Sequence, residues 1–285
     1  MNCMIKTILS VITLAFLSAC SNAKFAVVNA SALTYDGQII SDVAYGEDER
    51  QKLDIYIPEQ FEKPMPVIVF FHGGRWTFGS KDQYKFVGLT LSKMGYVVVI
   101  PNTRLYPTVK HPVFVEDGAQ AVSWVHNNIA DYGGDNNLFL SGHSSGAHIA
   151  ALITADQNYL KKYNLSPDVI NGFAGISGPY DFDPDTDDLR DMFGPPSNYP
   201  TMQVTTYIDG NEPPMLLIYT ADDETVHVRN LNRLKSKIEG EGGNVQSIIY
   251  AKGNHVDAVA GLSWVNMAGI PIADDMDGFF RKNLN

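Results

Sequence analysis

Short apolar segments recur along the chain and alternate with segments of helical periodicity. Residues 52–58 alternate apolar and polar positions, which is typical of a half-buried strand. Residues 67–72 and 96–101 are continuously apolar, as strands of a parallel sheet are when helices cover both faces, and four other segments are also rich in apolar residues. These segments predict six further strands at 67–72, 96–101, 138–142, 173–177, 215–220 and 245–250.

Helical periodicity fills the intervals between the strands. Residues 114–129 carry apolar side chains at helical spacing, and residues 145–155 are apolar on nearly every face, which predicts a buried helix. Further helices are predicted at 81–93, 226–239 and 275–284. Alternating strands and helices with right-handed crossovers predict one α/β domain around an open, mostly parallel, doubly wound sheet.

Residues 179–214 interrupt this alternation. The segment is rich in Asp, Pro and aromatic residues and is too long for a simple connection. It follows a strand, and α/β sheets bind ligands at the carboxyl ends of their strands. We interpret it as a lid or pocket wall, and the alternative is a solvated loop.

The N-terminal residues have the pattern of an export signal. An apolar segment from Thr7 to Ala19 is about half the length that spans a bilayer as a helix, so residues 1–19 are predicted to be a signal peptide. Leu17-Ser18-Ala19-Cys20 resembles the lipobox of bacterial lipoproteins. This resemblance implies cleavage before Cys20 and attachment of lipid to its thiol. An ordinary signal peptide with a chance cysteine is the alternative.

If Cys20 is the first residue of the mature protein, the rest of the chain divides into a tether and a domain. Residues 20–34 are small and polar and are predicted to be a tether, and residues 35–285 form the α/β domain. Ser21 is not aspartate, which by the same resemblance favours the outer membrane as the location of the anchored protein. Cys3 leaves with the signal and Cys20 carries the lipid, so no disulfide is expected within the mature domain.

Composition excludes several classes of function. Of the 285 residues, 45% are hydrophobic and 19% charged, as is ordinary for a globular protein. The formal net charge of −11 argues against a nucleic-acid partner, because phosphate binding needs a basic surface. No segment has the spacing of a zinc site or of a Gly-rich phosphate loop, so neither a metal nor an organic cofactor is predicted.

Gly142-His143-Ser144-Ser145-Gly146 joins a predicted strand to a predicted helix. This is the context that the G-x-S-x-G nucleophile elbow requires. The Ser144 hydroxyl would stand above the sheet at the positive end of a helix, which favours developing negative charge. Ser144 is therefore the candidate nucleophile. His143 and His148 flank it and are interpreted as packing residues rather than bases.

A serine nucleophile needs an imidazole to take its proton and a carboxylate to hold that imidazole. On an α/β sheet the expected chain order is Ser, then Asp or Glu, then His. His255 follows the last strand and is the candidate base. Asp222 and Asp223 both follow the strand 215–220, so position alone leaves two candidate acids. His227 falls at a helix start and is interpreted as a surface residue.

The segment 72–76, His-Gly-Gly-Arg-Trp, directly follows a predicted strand. Glycines there let backbone N–H groups approach the oxyanion of an acyl-transfer intermediate, and losing one such donor costs about 3 kcal/mol. The N–H groups of Gly74, Arg75 and Ser145 are the candidate donors. His72 is interpreted as a brace for the loop rather than a base.

Several quoted segments together resemble the α/β-hydrolase superfamily, in the branch of small carboxylesterases, acetyl-ester hydrolases and arylformamidases. They are YGEDERQKLDIYIPE, HGGRWTFGSKD, NTRLYP, PVFVEDGAQAVSWVHNNIADYGGD, GHSSGAHIAAL, ADDETV and GNHVD. The resemblance implies that Ser144 is the nucleophile and His255 the general base and acid. It places the acid three residues before a valine, so Val226 selects Asp223 over Asp222.

The resemblance implies a serine ester hydrolase that acts on a small-molecule ester through an acyl-serine intermediate, without a cofactor. Arg75 and Ser145 replace the glycine and alanine that are usual at their positions, which leaves substrate preference open. The aspartates of 179–214 are poor lining for an apolar tunnel, so acetyl to butyryl groups are expected. An amidase, formamidase or peptidase is the alternative, followed by a binding protein on a hydrolase scaffold.

Overall fold

The structure is a computed structural model that describes residues 27–62, 64–266 and 268–285. The predicted signal peptide, Cys20 and the first part of the predicted tether lie outside these residues. The end of the tether segment lies against the domain. Asn29 begins a 3-10 helix, Asn29–Thr34, and its side chain donates to the Asp82 carbonyl at 2.9 Å and accepts from the Phe86 amide at 2.9 Å.

Eight strands form one sheet in the order β1-β2-β4-β3-β5-β6-β7-β8. Strand β2 pairs antiparallel with β1 and β4, and the remaining neighbours are parallel, which confirms the predicted sheet type. The bounds are β1 Gln38–Ala44, β2 Lys52–Ile57, β3 Met65–Phe71, β4 Val97–Pro101, β5 Gly134–His143, β6 Ile170–Ile176, β7 Met215–Thr220 and β8 Val245–Tyr250.

Helices cover both faces of the sheet. Their bounds are α1 Lys85–Lys93, α2 Val113–Asn128, α3 Ser145–Ala155, α4 Asn158–Lys161, α5 Asp187–Phe193, α6 Tyr199–Met202, α7 Arg229–Gly240, α8 His255–Ala260 and α9 Ile272–Lys282. Two apolar clusters fill the spaces between the helices and the sheet, one on each face. Helix α3 is buried along its whole length, as its all-round apolar pattern predicts.

Of the boundaries that differ from the sequence prediction, two have a physical reason in the structure. Helix α7 begins at Arg229 rather than Val226, because the amides of Thr225 and Val226 donate to the Asp223 carboxylate. The segment that begins at Lys81 starts as a 3-10 helix and becomes α-helical only at Lys85.

Residues 179–214 are a packed wall rather than a solvated loop. Helices α5 and α6 lie in this segment, and Leu189, Met192 and Phe193 of α5 are buried. The aspartate content of this segment does not determine the lining of an acyl pocket, contrary to the argument from composition. Four of its aspartates lie on the outer surface in ion pairs, which are Asp181 with Arg233, Asp187 with Arg190, Asp188 with Arg75, and Asp191 with Lys110.

Candidate active site

The elbow has the strained backbone that its sequence predicts. Ser144 has φ 54° and ψ −123°, outside the helical and extended regions, and precedes the first residue of α3. A Cβ on Gly142 would lie 2.6 Å from the backbone of Gly146, and a Cβ on Gly146 would collide with the carbonyl oxygens of Phe71 and His72. Both positions therefore require glycine, because backbone atoms on either side leave no space for a side chain.

Ser144, His255 and Asp223 form one hydrogen-bonded row. His255 Nε2 lies 2.9 Å from Ser144 Oγ, and His255 Nδ1 lies 2.8 Å from Asp223 Oδ2. These three side chains come from the ends of β5, β8 and β7, which the parallel sheet brings to one edge. Asp222 and His227 are exposed, and within the described residues neither hydrogen-bonds to this row.

Asp223 is held as a carboxylate. Its Oδ1 accepts from the amides of Thr225 at 3.0 Å and Val226 at 2.8 Å. Burial by itself would raise the pKa of Asp223, but the hydrogen bonds from His255 and the Val226 amide outweigh burial and lower it. An ionised Asp223 fixes the proton of His255 on Nδ1, which leaves Nε2 free to accept the Ser144 proton.

The loop after β3 follows an unusual backbone path. Gly74, Arg75 and Trp76 have φ values of 133°, 53° and 59° in succession, and the Gly74 carbonyl accepts from the amides of Thr77 and Phe78 at 3.0 Å. In the part of the chain that the structure describes, the amides of Gly74, Arg75 and Ser145 donate to no protein acceptor. They are available to a ligand oxygen, and their role as oxyanion donors stays a prediction.

Two other histidines near the elbow are buried and neutral. His72 Nδ1 lies 2.8 Å from the Gly73 carbonyl, and burial lowers the pKa of His72 to about 4. His148 Nε2 lies 2.8 Å from the Met202 carbonyl, and burial lowers the pKa of His148 to about 3. Each therefore fixes a neighbouring segment, as predicted for packing residues.

Aromatic side chains close one side of the site. The Trp76 ring stacks on Phe182 at 5.7 Å and meets the edges of Phe193 at 5.0 Å and His148 at 5.2 Å, between ring centroids. Trp76 ends the candidate oxyanion loop, and His148 lies one helical turn after Ser144. The 179–214 wall thus packs directly on the reactive edge of the sheet. The sequence shows these rings but not that they meet.

A protein-family model described as BD-FAE matches residues 53–238, more than half of the chain. The chain belongs to the BD-FAE family. The BD-FAE match covers Ser144 and Asp223 and ends before His255. The candidate base is therefore identified by its hydrogen bonds in the structure.

Curated relatives of this BD-FAE chain include two hydrolases. Kynurenine formamidase of Danio rerio is 36% identical over 147 residues, which cover 52% of this chain and 48% of that protein. Isoprenylcysteine alpha-carbonyl methylesterase ICME of Arabidopsis thaliana is 27% identical over 246 residues, which cover 78% of this chain and 58% of that protein. The chain spans about half the length of the curated relatives it matches.

Solved structures similar to this BD-FAE chain include a truncated carbohydrate esterase from gut microbiota. Its TM-score is 0.76 at 20% identity, over 88% of this chain and 97% of that one. An inhibited esterase B from Lactobacillus rhamnosis also has a TM-score of 0.76 at 20% identity, over 94% of this chain and 96% of that one. The predicted α/β-hydrolase fold is confirmed.

Proposed function

We propose that the protein is a serine ester hydrolase with Ser144 as nucleophile, His255 as general base and acid, and Asp223 as the orienting carboxylate. The row of hydrogen bonds from Ser144 through His255 to Asp223, at 2.9 and 2.8 Å, carries the proposal. The esterase names of several similar proteins support the reaction class. Nothing in the chemistry of this row calls for a metal or an organic cofactor.

The acylation step follows from the geometry. Ser144 Oγ attacks the ester carbonyl carbon while its proton passes to His255 Nε2. The resulting oxyanion accepts from the amides of Gly74, Arg75 and Ser145. When the tetrahedral intermediate collapses, the bond to the alcohol oxygen breaks, and His255 returns the proton to that oxygen. The alcohol leaves, and the acyl group stays on Ser144.

Deacylation repeats these steps with water. His255 Nε2 takes a proton from water while the water oxygen attacks the acyl carbon. Collapse of the second intermediate breaks the bond to Ser144 Oγ, which regains its proton from His255. A carboxylic acid is released and the free enzyme is restored.

Amides of aromatic amines are the second candidate substrates. The same row of side chains serves amide cleavage, because His255 can protonate a leaving amine as well as an alcohol oxygen. The printed name of the relative from Danio rerio, a kynurenine formamidase, favours an N-formyl aromatic amide as the amide to test. A non-catalytic binding role is disfavoured by the complete hydrogen-bonded row.

The test combines covalent labelling with turnover. We expect a fluorophosphonate probe to label Ser144 in the wild-type protein, and p-nitrophenyl acetate to be hydrolysed faster than an N-formyl anilide. Ser144→Ala should lose both labelling and turnover, by a factor of order 10⁶ in kcat. Ser236→Ala, at an exposed serine of α7, should keep both. Turnover by pure, folded Ser144→Ala protein at the wild-type rate would refute the assignment.

Attachment to a membrane through lipid on Cys20 is a separate proposal. The lipobox-like segment ending at Cys20 supports it, together with export into the cell envelope. Among the described residues, no helix combines the length and apolar character needed to cross a bilayer. Cys20→Ser should move the protein from the membrane fraction to the soluble fraction, and Cys3→Ser should not. Retention of Cys20→Ser in washed membranes would contradict the proposal.

A further inference from the structure

Two buried side chains outside the Ser144–His255–Asp223 row bond to each other beside it. Tyr84 Oη lies 2.8 Å from His143 Nδ1, and both residues are about 5% exposed or less. On its other side, His143 Nε2 lies 3.1 Å from the backbone carbonyl oxygen of His255. The His143 and His255 rings lie side by side, with their centroids 4.7 Å apart and their planes tilted by 38°. The residue before the nucleophile is thus bonded directly to the backbone of the base.

These contacts fix the tautomer of His143. A carbonyl oxygen only accepts, so the contact with His255 requires a proton on His143 Nε2. Burial, followed by the nearby His255 ring, lowers the pKa of His143 to about 3, so the ring is neutral and Nδ1 carries a lone pair. Tyr84 must then donate its hydroxyl proton to Nδ1. Every polar atom of the His143 ring has one assigned partner.

The hydrogen bonds of Tyr84 and His143 extend to the candidate oxyanion loop. Tyr84 is also hydrogen-bonded by the Gly73 backbone, which counters the rise in the pKa of Tyr84 that burial causes. A Cβ on Gly73 would lie 2.8 Å from Tyr84 Oη and 2.9 Å from His143 Nδ1, so the loop packs directly on this bond. The direction of donation runs from Gly73 N–H to Tyr84, from Tyr84 to His143, and from His143 to the His255 carbonyl.

We propose that Tyr84 and His143 are positioning residues that hold the backbone of His255 and the Gly73-Gly74 turn in register with Ser144. This inference rests on the proposed function. Both are nearly fully buried, so we assign neither a contact with the substrate. Their bonds set where the base and the oxyanion donors lie, and misplacing a reacting group by about 1 Å can cost 10²-fold in rate. A neutral His143 also adds no charge beside the imidazolium that His255 becomes in each step.

The variants separate positioning from general stability. Tyr84→Phe removes one hydroxyl, and His143→Leu removes both ring nitrogens. We expect kcat for p-nitrophenyl acetate to fall by about 10- to 100-fold in each, with KM within about twofold of wild type. His143→Gln keeps a side-chain donor for the His255 carbonyl and should recover most of kcat. Tyr96→Phe removes a buried tyrosine bond to Asp277 and should leave kcat unchanged.

Two results would overturn the inference while the proposed function stands. One is wild-type kcat in Tyr84→Phe and His143→Leu, with Ser144 still labelled by the fluorophosphonate probe. The other is equal loss of kcat in Tyr96→Phe and Tyr84→Phe, which would indicate a general loss of stability. Absence of probe labelling in wild-type protein would overturn both proposals together.

The tautomer of His143 can also be measured directly in the wild-type protein. In ¹⁵N-histidine NMR spectra, His143 should have a protonated Nε2 and an unprotonated Nδ1 near neutral pH. The signal is assigned by its absence from His143→Gln. A protonated Nδ1 on His143 would contradict the direction of donation and overturn the inference.

Discussion

Arg75 of the candidate oxyanion loop pairs with Asp188 of helix α5, with Arg75 Nη1 lying 2.7 Å from Asp188 Oδ2. Arg75 Nη2 also donates to Thr186 Oγ1 at 2.8 Å. Arg75, whose backbone N–H is a candidate oxyanion donor, is therefore hydrogen-bonded through its side chain to the 179–214 wall. The position of the wall and the backbone geometry of the loop are therefore linked through the Arg75 side chain, in addition to the ring contacts of Trp76.

Asp188→Asn should weaken this link without unfolding the protein. Both side chains are more than a third exposed, so we expect the unfolding temperature to stay within about 3 °C of wild type. The kcat/KM for p-nitrophenyl acetate should fall by up to about fivefold. Asp187→Asn breaks the Asp187–Arg190 pair on the same helix and is the matched control. Equal effects of the two changes would argue against a link through Arg75.

Asp223→Asn should reduce kcat far more than Asp222→Asn. An amide at position 223 cannot hold the proton of His255 on Nδ1, and the comparable change in a serine protease costs about 10⁴ in kcat. Asp222 is exposed and lies outside the hydrogen-bonded row. Steady-state kinetics of the two variants test this prediction. A larger loss of kcat in Asp222→Asn would contradict the assignment of Asp223 as the orienting carboxylate.

The lowered pKa of Asp223 predicts a pH dependence of stability. A carboxyl whose pKa is lower in the folded state than in the unfolded state stabilises the fold above its unfolded pKa, near 3.9. That contribution is lost as the pH falls through the folded pKa. The difference in unfolding temperature between wild type and Asp223→Asn should be constant from about pH 5 to 7 and shrink below pH 4. A difference that grows on acidification would contradict the direction of the shift.

The sequence predicts the central strands and the reactive row because each depends on local pattern or on chain order. Strand β7 and helix α3 match their predicted bounds, since both are mostly apolar and are buried along their whole length. Strand β1 was not predicted. It lies at the edge of the sheet, and its largely exposed side chains include Asp42 at φ 60°, so neither alternation nor a continuous apolar segment marks it.

Contacts between distant residues account for the rest of what the sequence did not predict. The Tyr84–His143 bond joins residues 59 positions apart, and the Arg75–Asp188 pair joins residues 113 positions apart. No periodicity encodes either contact. The outward direction of the aspartates in 179–214 was also missed, because composition counts carboxylates without showing which face of a short helix carries them.

Two glycines should respond to alanine in opposite directions. Gly278 lies on the exposed side of α9 with no atom within 4 Å of a Cβ, so Gly278→Ala should raise the free energy of unfolding by about 0.5–1 kcal/mol. In Gly146→Ala the added methyl group would collide with backbone carbonyls of β3 and the following loop. This change should lower the free energy of unfolding by about 3 kcal/mol. Denaturant unfolding measures both, and a neutral Gly146→Ala would contradict the packing at the elbow.

The preferred acyl group should be acetyl to butyryl. The structural reason is the packing of aromatic rings beside the elbow rather than the number of aspartates in 179–214. The rings of Trp76, Phe182 and Phe193 already pack together beside the elbow, which limits the space for methylenes that would each contribute about 0.8 kcal/mol. The kcat/KM values for p-nitrophenyl esters from acetate to palmitate test this. Phe182→Ala should shift the optimum towards hexanoate, and a wild-type optimum at ten carbons or more would refute the prediction.

The bond between Trp264 Nε1 and the Val27 carbonyl, 3.1 Å long, fixes where the N-terminal segment meets the domain. That point lies on the segment following α8, the helix that His255 begins. Cys20 precedes Val27 by seven residues, which span at most about 25 Å when fully extended. A lipid on Cys20 would therefore keep the enzyme within a thin layer at the bilayer surface. Its encounter rate would then depend on how much ester enters that layer rather than on the bulk concentration.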